Sequence, residues 1–297
     1  AAMALPNGVR QIESEGFGGD VDEAISKYFG YFKINAKDTE IPVEFFQHPL
    51  NLRIFCEVTN PKRESIVNVN YVPASLTLLF EKYILNVCER IAQMTNLGYR
   101  FNAQDIRAAI YKFGLQLWES KRRWIDESIF RQEVSDTNRS WDTCVVNLLS
   151  QEGIIFRDPG SEPCTYTITP VYDGLGGYII ADSLLTRYGN DIDFDWLKET
   201  EVIRSFSGDS SHPLAFDIFN SLVALTPHRM HGIQLWKVAP DAFSKAALRF
   251  TTVLEAKYLD QETVVALMTL FKEDPKERTR LFSRLRDPRS VPNHPLN

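Results

Sequence analysis

Two imidazoles three residues apart, His228 and His231 in "HRMH", are the nearest approach to a metal-ligand pair in this 297-residue sequence. One helical turn would bring both to one side. No third ligand converges on them in sequence, so a solvated or interface pair is the better reading. Cys56, Cys88, Cys144 and Cys164 lie far apart, with no C-x-x-C pair and no histidine neighbour. The first three fall in apolar helical patterns, where cysteine behaves as a small buried hydrophobe, so neither an activated thiolate nor a disulfide framework is expected. No G-x-S-x-G nucleophile elbow and no G-x-x-x-x-G-K-[ST] phosphate loop occurs, and "GFGG" at Gly16–Gly19 lacks the lysine and the spacing, reading as a turn. Taken alone, the chain has no catalytic constellation.

The stretch that could bind something is "EFFQHPLNLRIFCEVTNPKR", Glu44 to Arg63. Leu50, Ile54 and Val58 recur at i, i+4, i+8, which is a helical pattern. Proline is tolerated in a first turn, where its missing N–H would be unpaired anyway. Pro49 therefore starts a helix from about Leu50 to Val58, and Asn60-Pro61 stops it.

The positioning elements are mostly helical. Val9–Ile12 could be a short strand; Asp20 caps a helix beginning "VDEAISKYFGYF"; Ser75 caps "LTLLFEKYILNVCERIAQM", which Gly98 ends; Asn102 caps "AQDIRAAIYKFGLQLWESKRR". "IDESIFRQEV" and "SDTNRSWDTCVVNLLSQEG" read as two short helices, the second running through Trp141, Val145, Leu148 and Leu149. "IIFRD" and "TYTIT" are strands around the turn "PGSEPC", and a helix from about Leu175 to Tyr188 closes the unit. Helix, helix, two-stranded wing and closing helix make a winged-helix arrangement. Beyond it come short helices with Pro213, Pro227, Pro240, Pro275, Pro288 and Pro292 at their boundaries, suggesting stacked helical pairs. The fold class is mainly α: a helical lid bundle over 20–101, a winged helix with a small β-hairpin over 102–188, and the start of an α-helical repeat region over 189–297.

Composition narrows the function. The hydrophobic share of 44% and charged share of 24% suit packed domains, and a net charge of −6 gives no field to hold nucleic acid or anionic lipid. The second helix of the winged unit carries Asp136, Asp142 and Glu152 against Arg139 alone, so phosphate would repel it and DNA is not an expected partner. The cations Lys121–Arg123 read as a solvated helix end. No apolar run approaches a membrane span, "AAMALPNGVR" is no signal peptide, and the reading is a cytoplasmic, reduced chain. Ala1-Ala2 before Met3 and the uncapped "SVPNHPLN" suggest a piece of something longer.

The order of parts, with "HPLNLRIFCEVTNP" in the lid and "YTITPVYDGLGGYIIADSLL" closing the winged helix, resembles the middle of a STAND-family NTPase of the NACHT or NB-ARC type, closest to the bacterial antiviral AVAST-like members. The resemblance covers nearly the whole chain and makes residues 1–19 the tail of a nucleotide-binding core that precedes it. It implies that Pro49 and Leu50, with His48 beside them, pack on an adenine ring. In the family pattern a winged-helix histidine contacts phosphate; here Tyr172 stands near that position, able to donate a hydrogen bond through its phenol. The cofactor implied is ATP or ADP, with magnesium in the full-length protein, none bound tightly by this piece alone. The partners implied are the preceding core, a protein ligand sensed by the repeats, and further copies of the chain on activation. The function expected is regulatory: nucleotide-gated switching from a closed to an open, oligomerising state in antiphage defence, with no chemistry in residues 1–297 while the full-length protein is an ATPase. The alternative is a helical-repeat and winged-helix scaffold that binds protein or nucleic acid and has no NTPase core.

Overall fold

The computed structural model describes residues 16–37, 39, 41, 43–70, 76–94, 101–189, 194–208, 210–254 and 256–279. The expected strand at Val9–Ile12, the cap Ser75 and the break at Gly98 lie outside them. The chain divides into two units, Ala1–Val72 and Pro73–Asn297. The division falls inside the stretch 20–101 read above as one lid. The described residues are mainly α-helical, with thirteen α-helices and two small sheets.

In the first unit, α1 (Val21–Phe32) buries Val21, Ile25, Phe29 and Phe32 at helical spacing. Asp20 occupies its N-cap position, yet its side chain makes no capping hydrogen bond, contrary to the expectation. Lys33 ends the helix in the left-handed region (φ 52°). Next come β1 (Ile34–Asn35), α2 (Val43–Phe46), α3 (Pro49–Thr59) and β2 (Val67–Asn68), with β1 and β2 pairing in parallel. The rings of Phe29, Phe46 and Phe55 meet at 5.1–6.3 Å between centroids and hold α1, α2 and α3 together. Asn60 stops α3 as predicted: its amide donates to Phe32 O and Ser65 O, both at 2.8 Å, and its carbonyl accepts from Arg63 N–H. The buried side of α3 is Leu52, Ile54, Phe55 and Cys56, whereas Leu50 and Val58 are half-buried, so the core stripe is rotated from the one expected.

In the second unit, α4 (Leu76–Gln93) packs on α5 (Ala103–Ser120), and α5 starts with the capping box that Asn102 and Asp105 promised. There follow β3 (Ile125–Asp126), α6 (Glu127–Glu133), α7 (Val145–Gln151), β4 (Ile155–Pro159), β5 (Tyr166–Pro170) and α8 (Asp173–Tyr188). The antiparallel sheet has the order β3-β5-β4, with Ile125 opposite Ile168 and Arg157 on its other side. This is the winged-helix arrangement with one strand more than the sequence suggested: Ile125-Asp126 is extended, and its helix begins only at Glu127. The next helix is also shorter than expected. Trp141–Thr143 is a 3-10 turn, Cys144 is extended, and α7 starts at Val145, whose N–H donates to the buried Asp136 carboxylate at 2.7 Å. Trp141 is thereby left partly exposed rather than on the core stripe.

The remaining elements are α9 (Thr200–Phe206), α10 (Ala215–Arg229), α11 (Leu235–Val238), α12 (Asp241–Phe250) and α13 (Gln261–Glu273). Pro227 lies inside the last turn of α10, not at its boundary. Helix α8 is buried along most of its length between α5 and α10. Glycines set those crossings. A Cβ on Gly114 would come within 2.8 Å of Ile179 O, and one on Gly177 within 2.5 Å of Asp217 C, so the backbones approach closer than any other residue permits.

Candidate functional site

The sequence-predicted residues fall in both units: His48, Pro49 and Leu50 in the first, Tyr172 in the second. The first three form one turn. His48 is extended (φ −80°, ψ 119°), its Nδ1 accepts the Leu50 N–H at 3.3 Å, and Pro49 takes the first helical position, where no N–H is needed. Partial burial holds the His48 imidazole below its ordinary pKa, and accepting the Leu50 N–H at Nδ1 calls for the tautomer with its proton on Nε2. The turn is braced from behind. Phe17 N–H donates to Gln47 O at 3.0 Å, and Gly16, in the left-handed region at φ 75°, presses so close that a Cβ would sit 2.2 Å from that oxygen. His48 is exposed, Pro49 and Leu50 half-buried, while Leu52 and Phe55 one turn on seal the core. Pro49 is therefore a half-buried residue held in a fixed first turn.

Tyr172 occupies the N-cap position of α8, half-buried, its ring edge-on to Phe80 at 6.3 Å. The glycines of "DGLGGY" have packing roles. A Cβ at Gly174 would meet the Tyr172 ring at 2.6 Å, and one at Gly176 would meet Pro170 and Leu214 at 2.8–3.0 Å. Asp173 pairs with Arg123 at 2.7 Å.

A polar centre that the sequence reading did not anticipate joins four helices. Arg229 of α10 pairs with Glu81 of α4 at 2.8 Å and with Asp182 of α8 at 2.5 Å; Arg107 of α5 reaches Asp182 at 3.4 Å. Burial holds the Asp182 carboxyl above the usual range, against the pull of Arg229 and Arg107. Burial also works against the Arg229 cation, but Asp182, Tyr178 and Glu81 outweigh it and leave its pKa raised. The adjoining Tyr178 phenol is pushed up by burial as well. His228 completes the rim: Nε2 lies 3.3 Å from Glu81, and Nδ1 lies 3.1 Å from the Tyr258 hydroxyl. The imidazole singled out as a ligand candidate thus faces a carboxylate and a phenol, while His231 is an exposed left-handed residue at φ 52°. A signal for this centre exists in the sequence: Asp182 stands alone in the apolar run "GYIIADSLL", where a carboxylate needs a partner.

The winged unit is occupied by its own chain. All of Val145 to Leu149 in α7 are buried. Beyond its end, Glu152 takes a two-nitrogen contact from Arg90 (2.6 and 2.9 Å) and, through its carbonyl, the Tyr83 hydroxyl at 2.5 Å, both from α4. The cations after α5 are engaged one by one: Lys121 with Glu201 at 3.3 Å, Arg122 over the Trp124 ring at 4.7 Å, Arg123 with Asp173. Burial raises the Cys56 thiol to about 12 and that of Cys88 to about 11, which makes them inert packing groups. Among the described residues no helix is long and apolar enough to cross a membrane, and no group of three or more histidine, cysteine or carboxylate side chains could hold a metal ion. Compared with known proteins, the chain matches no family model, no curated protein and no solved structure.

Proposed function

We propose that this chain is a regulatory portion of a STAND-type signalling ATPase, of the kind that acts in bacterial antiphage defence, and that it contributes a lid, a winged helix and the first helical repeats. The observation that carries the reading is the winged helix itself. Its α7, the element that would enter a DNA groove, is buried, and Glu152 just beyond its end is bonded to α4, which supports a packing role for the unit rather than DNA reading. The half-buried position of Pro49, fixed in a first turn, supports the adenine contact. Pro49 and Leu50 would hold the base by apolar contact; the phosphates and magnesium would fall to residues outside this chain, which has no phosphate loop of its own. Bound nucleotide would then bias a closed against an open, self-associating state, with a protein ligand at the repeats shifting the balance.

The test is the longer reading frame. A G-x-x-x-x-G-K-[ST] motif within a few hundred residues upstream of Ala1 is expected, together with ADP binding by that longer protein. Pro49→Glu, favourable to the helix at its first position, is expected to weaken ADP binding about tenfold or more with an unchanged melting temperature. No motif upstream, or unaltered binding by the variant, overturns the reading. The scaffold alternative predicts no motif and no nucleotide binding, with a protein partner held by the helices after α8.

A further inference from the structure

The parallel pair β1–β2 of the first unit leaves one edge open. Val67 N–H donates to Lys33 O at 3.0 Å and Val69 N–H to Asn35 O at 2.8 Å, so both residues turn their backbone toward β1. Alternation along the strand therefore turns the N–H and C=O groups of Ile66, Asn68 and Asn70 the other way. Among the described residues nothing bonds to those groups. The edge is in water: Ile66 is 69% exposed, and Asn68 and Asn70 are exposed as well. It also lacks the usual protection, because the run from Ile66 to Asn70 holds neither a charge nor a proline.

The side chains say what fits there. Asn35 and Asn68 are register partners, and the Asn35 side-chain N–H donates to Asn68 Oδ1 at 2.7 Å. That row ends at the edge in the Asn68 amide nitrogen, which no described residue accepts from. Such an amide, with donors to spare and an oxygen able to accept twice, is complementary to itself. We propose that β2 pairs antiparallel with β2 of a second copy of this chain, Asn68 facing its own counterpart across a twofold axis. In this register Ile66 lies opposite Asn70 of the other copy, so the outward groups of three residues on each strand meet in hydrogen-bonded pairs. Val67 lies opposite Val69 of the other copy, the two asparagine rows join into one of four, and no like charges are opposed. At the far edge of the pair Ile34 is buried, so the assembly closes at two copies. The contact needs no nucleotide and stands or falls separately from the adenine contact.

The test is sedimentation equilibrium of the whole chain from about 10 to about 300 μM, where a monomer–dimer equilibrium is expected. Asn68→Asp keeps an oxygen for the Asn35 amide but sets two carboxylates face to face, and should weaken the dimer about tenfold or more. Ile66→Lys, a cation placed on an already solvated side chain at the edge, should act in the same direction. Met268→Asp, at an exposed apolar position on α13 in the second unit, should leave the dimer unchanged. A chain that stays monomeric throughout, a dimer that survives both edge variants, or one that is lost with Met268→Asp overturns the assignment.

Discussion

His212 illustrates how a single side chain sets a pH limit. It is 2% exposed, stacked on Trp118, with Nδ1 accepting the Leu214 N–H and Nε2 facing Leu117 O, each at 3.0 Å. That pattern requires the neutral ring protonated on Nε2. Burial, helped by Arg123 and Lys121 and opposed by the Leu117 carbonyl, holds its pKa below the ordinary value. The unfolded chain therefore takes up a proton at a pH where the folded one refuses it. Stability is full above about pH 6.5 and falls, by about 1 kcal/mol per pH unit, as the pH drops from there toward the depressed folded value. Urea midpoints at pH 7.5 and 5.5 should differ by more in the parent than in His212→Gln; an equal drop in both would show that another group controls the acid limit. Glycine at 177 sets a second local limit. Its replacement by alanine drives a methyl into the Asp217–Ile218 backbone and is expected to cost about 1–3 kcal/mol. Gly30, exposed in α1 with nothing within 4 Å of a Cβ, should instead gain about 0.5–1 kcal/mol from the same change. Thermal unfolding of the two variants checks both signs.

At the scale of the element, the legible parts were those whose signals are local. Pro49 announced the start of α3, Asn60-Pro61 its end, and Asn102 with Asp105 the start of α5, because each acts within one turn of the chain. The beginning of α7 was hidden because Asp136, nine residues upstream, supplies the carboxylate that receives the Val145 N–H. Strand β3 was hidden because two residues are too few to show a period of two, and only pairing with β5 makes them a strand. Of the proposed site, the first-turn position of Pro49 was legible, whereas the N-cap position of Tyr172 was not, because α8 begins two residues before the expected Leu175. The polar centre was not, since Glu81 and Arg229 are 148 residues apart. The link between α4 and the end of α7 gives an element-scale expectation. Tyr83→Phe removes one buried hydroxyl donor from the Glu152 carbonyl and should cost about 1–2 kcal/mol, with faster hydrogen exchange in α7 than in α5. Uniform protection across both helices would argue against it.

Across the whole second unit, the Glu81–Arg107–Asp182–Arg229 centre fastens α4, α5, α8 and α10 to one another. Removing one member leaves its partners charged and buried. Arg229→Met is expected to destabilise by about 3–5 kcal/mol, and adding Asp182→Leu to it should recover part of that loss. Urea unfolding of the single and double variants measures the coupling; simple additivity would mean that the two residues act independently. The same centre has a bearing on ionic strength. Its two acids and two arginines cancel, and Asp182 and Arg229 are largely withdrawn from water, with 16% and 20% of their side chains accessible. Potassium chloride strong enough to dissolve pairs such as Lys27 with Glu23 on the outer face of α1 will find little to screen here, so brine and dilute buffer should meet the same seam.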